Sequence, residues 1–260
     1  MTSTMAPQLS DAFRLAEVVS VEQPFPSFFR VTMRAPDMQR YTEGGMHFRL
    51  LLPPKGRAPV WPYIDETGRA RFPSGDDQLH NPVYTFVSID VRTGQFTFDV
   101  YIHEGGRITE WMRAAKSGDT IGINGPGGGT IPVADQMIMA GDETALPAIR
   151  RILAEAAPEV TGNAYIEVAA EKDIQQLEKP VGVTLKWLIR GRDLGPVQAL
   201  IENHSDLSPD APPFVWCGAE KSQVQIARAH FRDALGIGPD QSYLSGYWRQ
   251  AKPQTGWRRV

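Results

Sequence analysis

The chain is expected to form an antiparallel β-barrel over residues 15–132 and a small parallel-sheet α/β domain over residues 133–260, preceded by a flexible lead of residues 1–14. Three observations predict this. Segments from Ala16 to Pro132 are short, β-branched or aromatic, often alternate in polarity, and are separated by Pro, Gly and Asp clusters. After GPGGGTIP (125–132), strand-like and helix-like stretches alternate, the pattern of parallel strands joined by crossovers. Hydrophobic residues make up 42% of the chain, enough to bury cores of this size, and no internal repeat points to a solenoid.

In the first half, AEVVSVEQ (16–23), FFRVTMRA (28–35), HFRLLLP (47–53), VYTFVSID (83–90) and FTFDVYIH (96–103) have strand character. Several short strands with turn signals between them describe a barrel. RITEWMRAAKSGD (107–119) is the one helix-like interruption. Residues 53–81 make a Pro- and Gly-rich loop, unusual inside a compact domain and often functional. GINGPGGG (122–129) fits a backbone that lets a bulky ligand approach, a hinge between domains, or both. In the second half, MIMAGDETALPAIRRILAEAAP (137–158) is a strand running into a helix, with Asp142 or Thr144 as its cap. AYIEVAA (164–170), TLKWLIR (184–190) and PFVWCGAE (213–220) are strands, and EKSQVQIARAHFRDALG (220–236) is a long helix before a last strand, SYLSGYW (242–248).

Composition narrows the function. With 27 basic and 30 acidic residues the net charge is −3, which argues against the basic face of a nucleic-acid binder. An anionic ligand would therefore need a local basic cluster. The single cysteine, Cys217, excludes an internal disulfide and a Cys-based zinc or iron–sulfur site. The first residues lack a secretion-signal pattern, and no apolar run approaches the ~18 residues of a membrane span. The expectation is a soluble, cytoplasmic monomer or weak homo-oligomer with no nucleic-acid or membrane partner. The five histidines show no ligand-like spacing, so no protein-bound metal is expected. No G-x-S-x-G elbow is present.

Four motifs carry chemistry. In GDETALPAIRR, from Gly141, a strand end followed by a helix start offers backbone N–H groups and a helix dipole to a pyrophosphate. It lacks the full G-x-G-x-x-G fingerprint, and every parallel α/β fold contains such turns. In HEGGRITEW, Gly105 and Gly106 precede a helix whose Arg107 and Thr109 suit a phosphate, or the helix simply caps the barrel. His103 there has the character of a packed, hydrogen-bonded residue rather than a base. Tyr84 and Thr85 suit an aromatic cofactor by stacking and hydrogen bonding, and are equally good strand formers. In GYWRQAKP, Trp248, Arg249 and Lys252 suit an aromatic, anionic ligand, or form an exposed tail.

Taken in order, VYTFVSID, FTFDVYIHEGGRITEWMRAAKSGDTIGINGPGGG, MIMAGDETALPAIRRIL, VWCGAEKSQVQIARAHFR and SYLSGYWR resemble the siderophore-interacting proteins, a branch of the ferredoxin–NADP reductase superfamily. The likeness spans about residues 15 to 250. It implies a barrel that binds FAD and an α/β domain that receives NADH or NADPH. On the flavin side it implies Tyr84, Thr85, Phe86, Val87, His103, Trp111, Gly125 and Trp248, with Gly105, Gly106, Arg107 and Thr109 at the FAD diphosphate. On the nicotinamide-nucleotide side it implies Gly141, Asp142, Glu143, Thr144, Ala145 and Glu220. No side chain is expected to be catalytic, because the flavin carries the chemistry.

There is one departure. The family has an arginine shortly before the Tyr-Thr pair and often another two residues after the Thr, where this chain has Asn81, Pro82 and Val87. Losing a charge-assisted bond to a phosphate costs ~1.5–3 kcal/mol, roughly tenfold to hundredfold in affinity. FAD is then held loosely, or Arg107 takes over the phosphate. The implied activity is reduction of a ferric siderophore, since Fe³⁺ is gripped by hard oxygen ligands far more tightly than Fe²⁺. Arg249 and Lys252, with Lys55 or Arg57 from the long loop, are the candidates for attracting such an anionic chelate. Two alternatives are a general NAD(P)H-dependent flavin or quinone reductase, and a non-catalytic siderophore-binding protein with weak or lost FAD. NADH and NADPH both remain open. Lys172 and Arg190 follow strand ends where a 2′-phosphate would sit, and equally fit solvated surface cations.

Overall fold

The computed structural model describes residues 11, 13–204, 207 and 212–250. It divides into two units, residues 1–131 and 132–260. Most of the expected flexible lead lies outside the described residues, and the first strand begins at Phe13.

The first unit contains β1 (Phe13–Phe25), β2 (Phe28–Arg34), β3 (His47–Leu51), β4 (Tyr63–Ile64), β5 (Ala70–Arg71), β6 (Val83–Thr85), β7 (Ser88–Asp90), β8 (Gln95–Tyr101), α1 (Arg107–Ala114) and β9 (Thr120–Gly127). An antiparallel seven-stranded sheet runs β6-β3-β9-β1-β2-β8-β7. Its two edge strands are consecutive pieces of the predicted strand 83–90. Phe86 N donates to Met46 O beside β3, and Val87 N donates to Thr97 O on β8. That change of partner within two residues brings the sheet edges together, which is how an antiparallel sheet becomes barrel-like and hides its edges. Inside lies an aromatic cluster in which Phe48 stacks on Phe86 at 4.2 Å and meets Phe96 and Phe98 edge-on.

The glycine run does not form a loop. Residues up to Gly127 are strand β9, paired with both β1 and β3. The long loop, by contrast, holds a small hairpin, β4–β5, closed around Asp65, whose Oδ1 accepts from Thr67 N and Arg69 N. The predicted helix 107–119 is shorter, ending at Ala114.

The second unit contains β10 (Gln136–Gly141), α2 (Leu146–Glu155), β11 (Thr161–Val168), β12 (Val183–Ile189), α3 (Pro196–Asn203), β13 (Phe214–Glu220), α4 (Lys221–Arg228) and β14 (Ser242–Trp248). Its parallel sheet runs β12-β11-β10-β13-β14. The chain leaves β10 outward on one side, then returns to start β13 on the other. The carboxyl ends of β10 and β13 thus flank a topological switch point, where open α/β sheets bind ligands. The sequence did not single out α3. Its Pro196 at the first turn and buried Val197, Ala199 and Leu200 account for it. The long helix 220–236 is an α-helix only to Arg228 and continues as a π-helix over Ala229–Ala234.

Candidate functional site

In the first unit, the end of β8 delivers the chain into a tight turn. Gly106 N donates to His103 O at 3.3 Å, with Gly105 at φ 71°, a conformation suited to glycine. Thr109 is buried, and its Oγ1 accepts from His103 N at 3.4 Å, tying α1 back onto the strand. Gly106 precedes α1, and no side chain caps the first turn. His103 is hydrogen-bonded, its ring Nδ1 lying 3.4 Å from Glu104 O. Its ring is exposed and lies over Gly106, where a Cβ would come within 2.5 Å of it.

Arg107, at the start of α1, extends its guanidinium to Pro53 O at 3.5 Å. Burial and the charge of Arg107 together lower the pKa of His80. Arg107 therefore reaches the segment before β6, where the family pattern places an arginine and this chain has Asn81 and Pro82. A second guanidinium arrives from β3, as Arg49 Nη1 donates to Asn81 O at 3.0 Å. Arg49 belongs to no motif in the sequence. Its one available signal was a lone arginine between buried neighbours in HFRLL.

Strand periodicity divides the Tyr-Thr segment. Tyr84 is half-buried, its ring 5.3 Å from Phe98 and 6.3 Å from Phe48, and burial raises its pKa. Phe86 points the same way, and its side chain is fully buried within the aromatic core, stacked on Phe48. Thr85 pairs with His47, and Val87 is half-buried. Gly125 sits where two strands approach closely. Its surroundings are the backbone of β3, with a Cβ falling 3.2 Å from His47 O, so the glycine lets strands approach one another. Trp111 is half-buried against the barrel core.

In the second unit, Asp142 joins three elements at the carboxyl edge of the sheet. Its Oδ1 accepts from Thr144 N at 2.9 Å, and its Oδ2 accepts from Glu220 N at 3.1 Å and Trp248 Nε1 at 2.7 Å. Neither Asp142 nor Thr144 is the helix cap. Ala145 occupies that position, and Asp142 O accepts from both Ala145 N and Leu146 N. The expectation that this turn offers free N–H groups to a pyrophosphate is therefore corrected, because the turn satisfies these donors itself. Gly141 and Gly218 face each other across the switch point. A Cβ on Gly141 would lie 2.8 Å from Ala145 Cβ and 3.1 Å from Gly218 O.

Glu143 is buried and hydrogen-bonded to Arg190, while its Oε1 has no hydrogen-bond partner. Burial pushes its pKa up to about 7 despite the guanidinium. Glu220 accepts from the Ser222 hydroxyl, from Ser222 N and from Gln250 N, and its pKa is lowered by these bonds, the hydroxyl first. Trp248 is 40% exposed, an indole pinned by its N–H with surface still open. Arg249 is exposed, and Lys252 lies outside the described residues. Of the loop cations, Lys55 is exposed, whereas Arg57 is paired with Asp77 at 2.9 Å and Asp76 at 3.6 Å. Arg57 is thus not the unpaired cation its sequence position implies.

Residues 17–130 match the model of the siderophore-interacting FAD-binding domain, and residues 134–251 match that of the siderophore-interacting protein. The chain belongs to the siderophore-interacting protein family. Within it, ferric vibriobactin reductase ViuB of Vibrio cholerae is 27% identical over 249 residues, spanning 92% of this chain and 90% of that one. The NADPH-dependent ferric-chelate reductase of Escherichia coli is 25% identical, covering 91% of this chain and 92% of its own. Among solved structures, a siderophore utilization protein from T. fusca superposes with a TM-score of 0.80 at 26% identity, covering 95% of this chain and 97% of that one. No described helix of this siderophore-interacting protein is long and apolar enough to cross a membrane.

Proposed function

We propose that the chain is a FAD-containing, NAD(P)H-dependent reductase that converts ferric siderophores to the ferrous state and so releases iron in the cytoplasm, as a monomer or weak homo-oligomer. The observation that carries this is the uncapped start of α1, with the Arg107 guanidinium extended to Pro53 O and its charge acting on His80, in the segment that leads to Tyr84. Uncapped N–H groups, a positive helix end and an adjacent guanidinium fit a diphosphate, and the half-buried Tyr84 ring fits a flat aromatic system. When bound, a flavin accepts an electron pair as hydride and returns electrons singly, the exchange needed between nicotinamide and ferric iron.

The residues of this chain then divide the work. Arg107 and the first turn of α1 hold the diphosphate, with Gly105 and Gly106 keeping the backbone close and Thr109 fixing the turn. Arg49 and Arg107 supply guanidinium groups where Asn81 and Pro82 do not, which supports the enzyme over a binder that has lost FAD. Tyr84 faces the flavin ring, and the buried Thr85, on the opposite face of the strand, fixes the segment that carries it. In the second unit, Gly141 and Gly218 allow close approach at the switch point, and Asp142, through Trp248, Glu220 and Thr144, sets the edge that meets the nicotinamide nucleotide. Arg249 and Lys252 attract the anionic chelate.

The purified protein is expected to be yellow, or to become so with added FAD, and to bleach anaerobically with a reduced nicotinamide nucleotide. A folded protein that takes up no FAD would refute the proposal. Reversing charge with Arg249→Glu and Lys252→Glu is expected to raise KM for an anionic ferric chelate about tenfold, equivalent to ~1.4 kcal/mol. An unchanged KM would remove these two cations from the substrate site.

A further inference from the structure

The carboxyl ends of β11 and β12 carry the charges that a dinucleotide's adenosine ribose meets in a doubly wound sheet, where an acidic side chain accepts a free 2′-hydroxyl and an arginine accommodates a 2′-phosphate. Arginines stand there, but each is already held. Arg190 Nε donates to Glu167 Oε1 at 2.8 Å, and its Nη2 contacts both Glu167 and Glu143. Arg192 Nη1 donates to Glu171 Oε1 at 2.5 Å, and its Nε and Nη2 face Asp193 at 3.4 Å. Asp193 is fixed in turn, because its Oδ2 accepts from Ile189 N at the end of β12 at 2.7 Å. Lys172 is exposed but sits between Glu171 and Asp173. Carboxylates thus outnumber the guanidinium groups, and both arginines are engaged in-chain.

We propose that this edge makes the protein selective for NADH over NADPH, with Glu167 and Glu171 as the specificity-determining residues. The inference rests on the reductase reading and deepens it. A 2′-phosphate brings about two negative charges into a cluster already rich in carboxylates, and it gains an arginine only by displacing one of them. The ribose hydroxyls of NADH instead donate to the same carboxylates.

The test uses the full-length protein and redox-inert probes, ADP-ribose and 2′-phospho-ADP-ribose, titrated by calorimetry, with anaerobic bleaching by NADH and NADPH run in parallel. Wild type is expected to bind ADP-ribose at least about tenfold more tightly, ~1.4 kcal/mol. The double variant Glu167→Gln/Glu171→Gln, which removes one charge partner from each arginine, is expected to close or reverse that ratio. Tighter binding of the 2′-phosphorylated probe by wild type, or an unchanged ratio in the double variant, overturns the inference and leaves the reductase reading standing. Failure of both probes to bind, together with failure of both nucleotides to bleach the flavin, overturns both.

Discussion

Glu143 and Asp142 are neighbours in one turn, yet their surroundings give them opposite tasks. Asp142 is buried with hydrogen-bond donors around both oxygens, so its negative charge organises the turn, the end of β13 and the indole of Trp248. Glu143 is buried with one oxygen unpartnered, and desolvation dominates, raising its pKa from the usual carboxylate range to about 7. A carboxyl whose folded pKa exceeds its unfolded value stabilises the fold fully below the unfolded pKa, and loses that stabilisation as pH rises through the folded one. The window here runs from about 4.5 to about 7. Glu143→Gln keeps an acceptor for Arg190 but cannot ionise. Its stability in urea unfolding is expected to match wild type near pH 4.5 and to exceed it by ~3 kcal/mol at pH 8. A constant difference across that range would contradict the assignment.

At the scale of elements, the two helix starts differ in what they leave to a ligand. α1 begins uncapped after Gly106, whereas α2 begins after a turn whose donors are already paired within the chain. The second unit consequently offers shape more than donors at its switch point, and that shape depends on the close approach of α2 to β10. Gly141 permits it. Gly141→Ala places a methyl 2.8 Å from Ala145 Cβ and from Ile149 Cδ1. Overpacking of this kind costs about 1–3 kcal/mol. The expected outcome is a loss of that size in urea unfolding, together with weaker ADP-ribose binding, as α2 is pushed off the sheet. Unchanged stability would mean that the helix start yields freely.

At the scale of the molecule, each unit has its own core and its own expected ligand, so flavin binding should be visible as stability. FAD at a hundred times its Kd adds about 2.7 kcal/mol to the state that binds it, which raises the melting temperature of the flavin-loaded protein by several degrees. Arg107→Ala removes a charge-assisted bond worth ~1.5–3 kcal/mol. It is expected to weaken FAD binding by roughly tenfold to hundredfold and to remove about half or more of that gain at the same FAD concentration, while the flavin-free melting temperature stays put. Retained FAD-dependent stabilisation in the variant would shift the phosphate role to Arg49 or to the backbone of α1.

Local sequence alone determined the architecture, because period-two strands, glycine and proline punctuation, and alternating strands and helices are properties of neighbouring residues. It also located the GGRIT, GDET and GYW segments, whose chemistry lies in short runs. Tertiary structure decided which side chains in those runs face outward and which partners they already have. Phe86 went to the core because the strand changes partner beside it, and Arg49 came to Asn81 from another strand. Asp142 met Trp248 across 106 positions of chain, and Arg190 met Glu143 across 47. Charge pairing and burial act through space rather than along the chain, so only the folded arrangement fixed which donors and cations remain for a ligand.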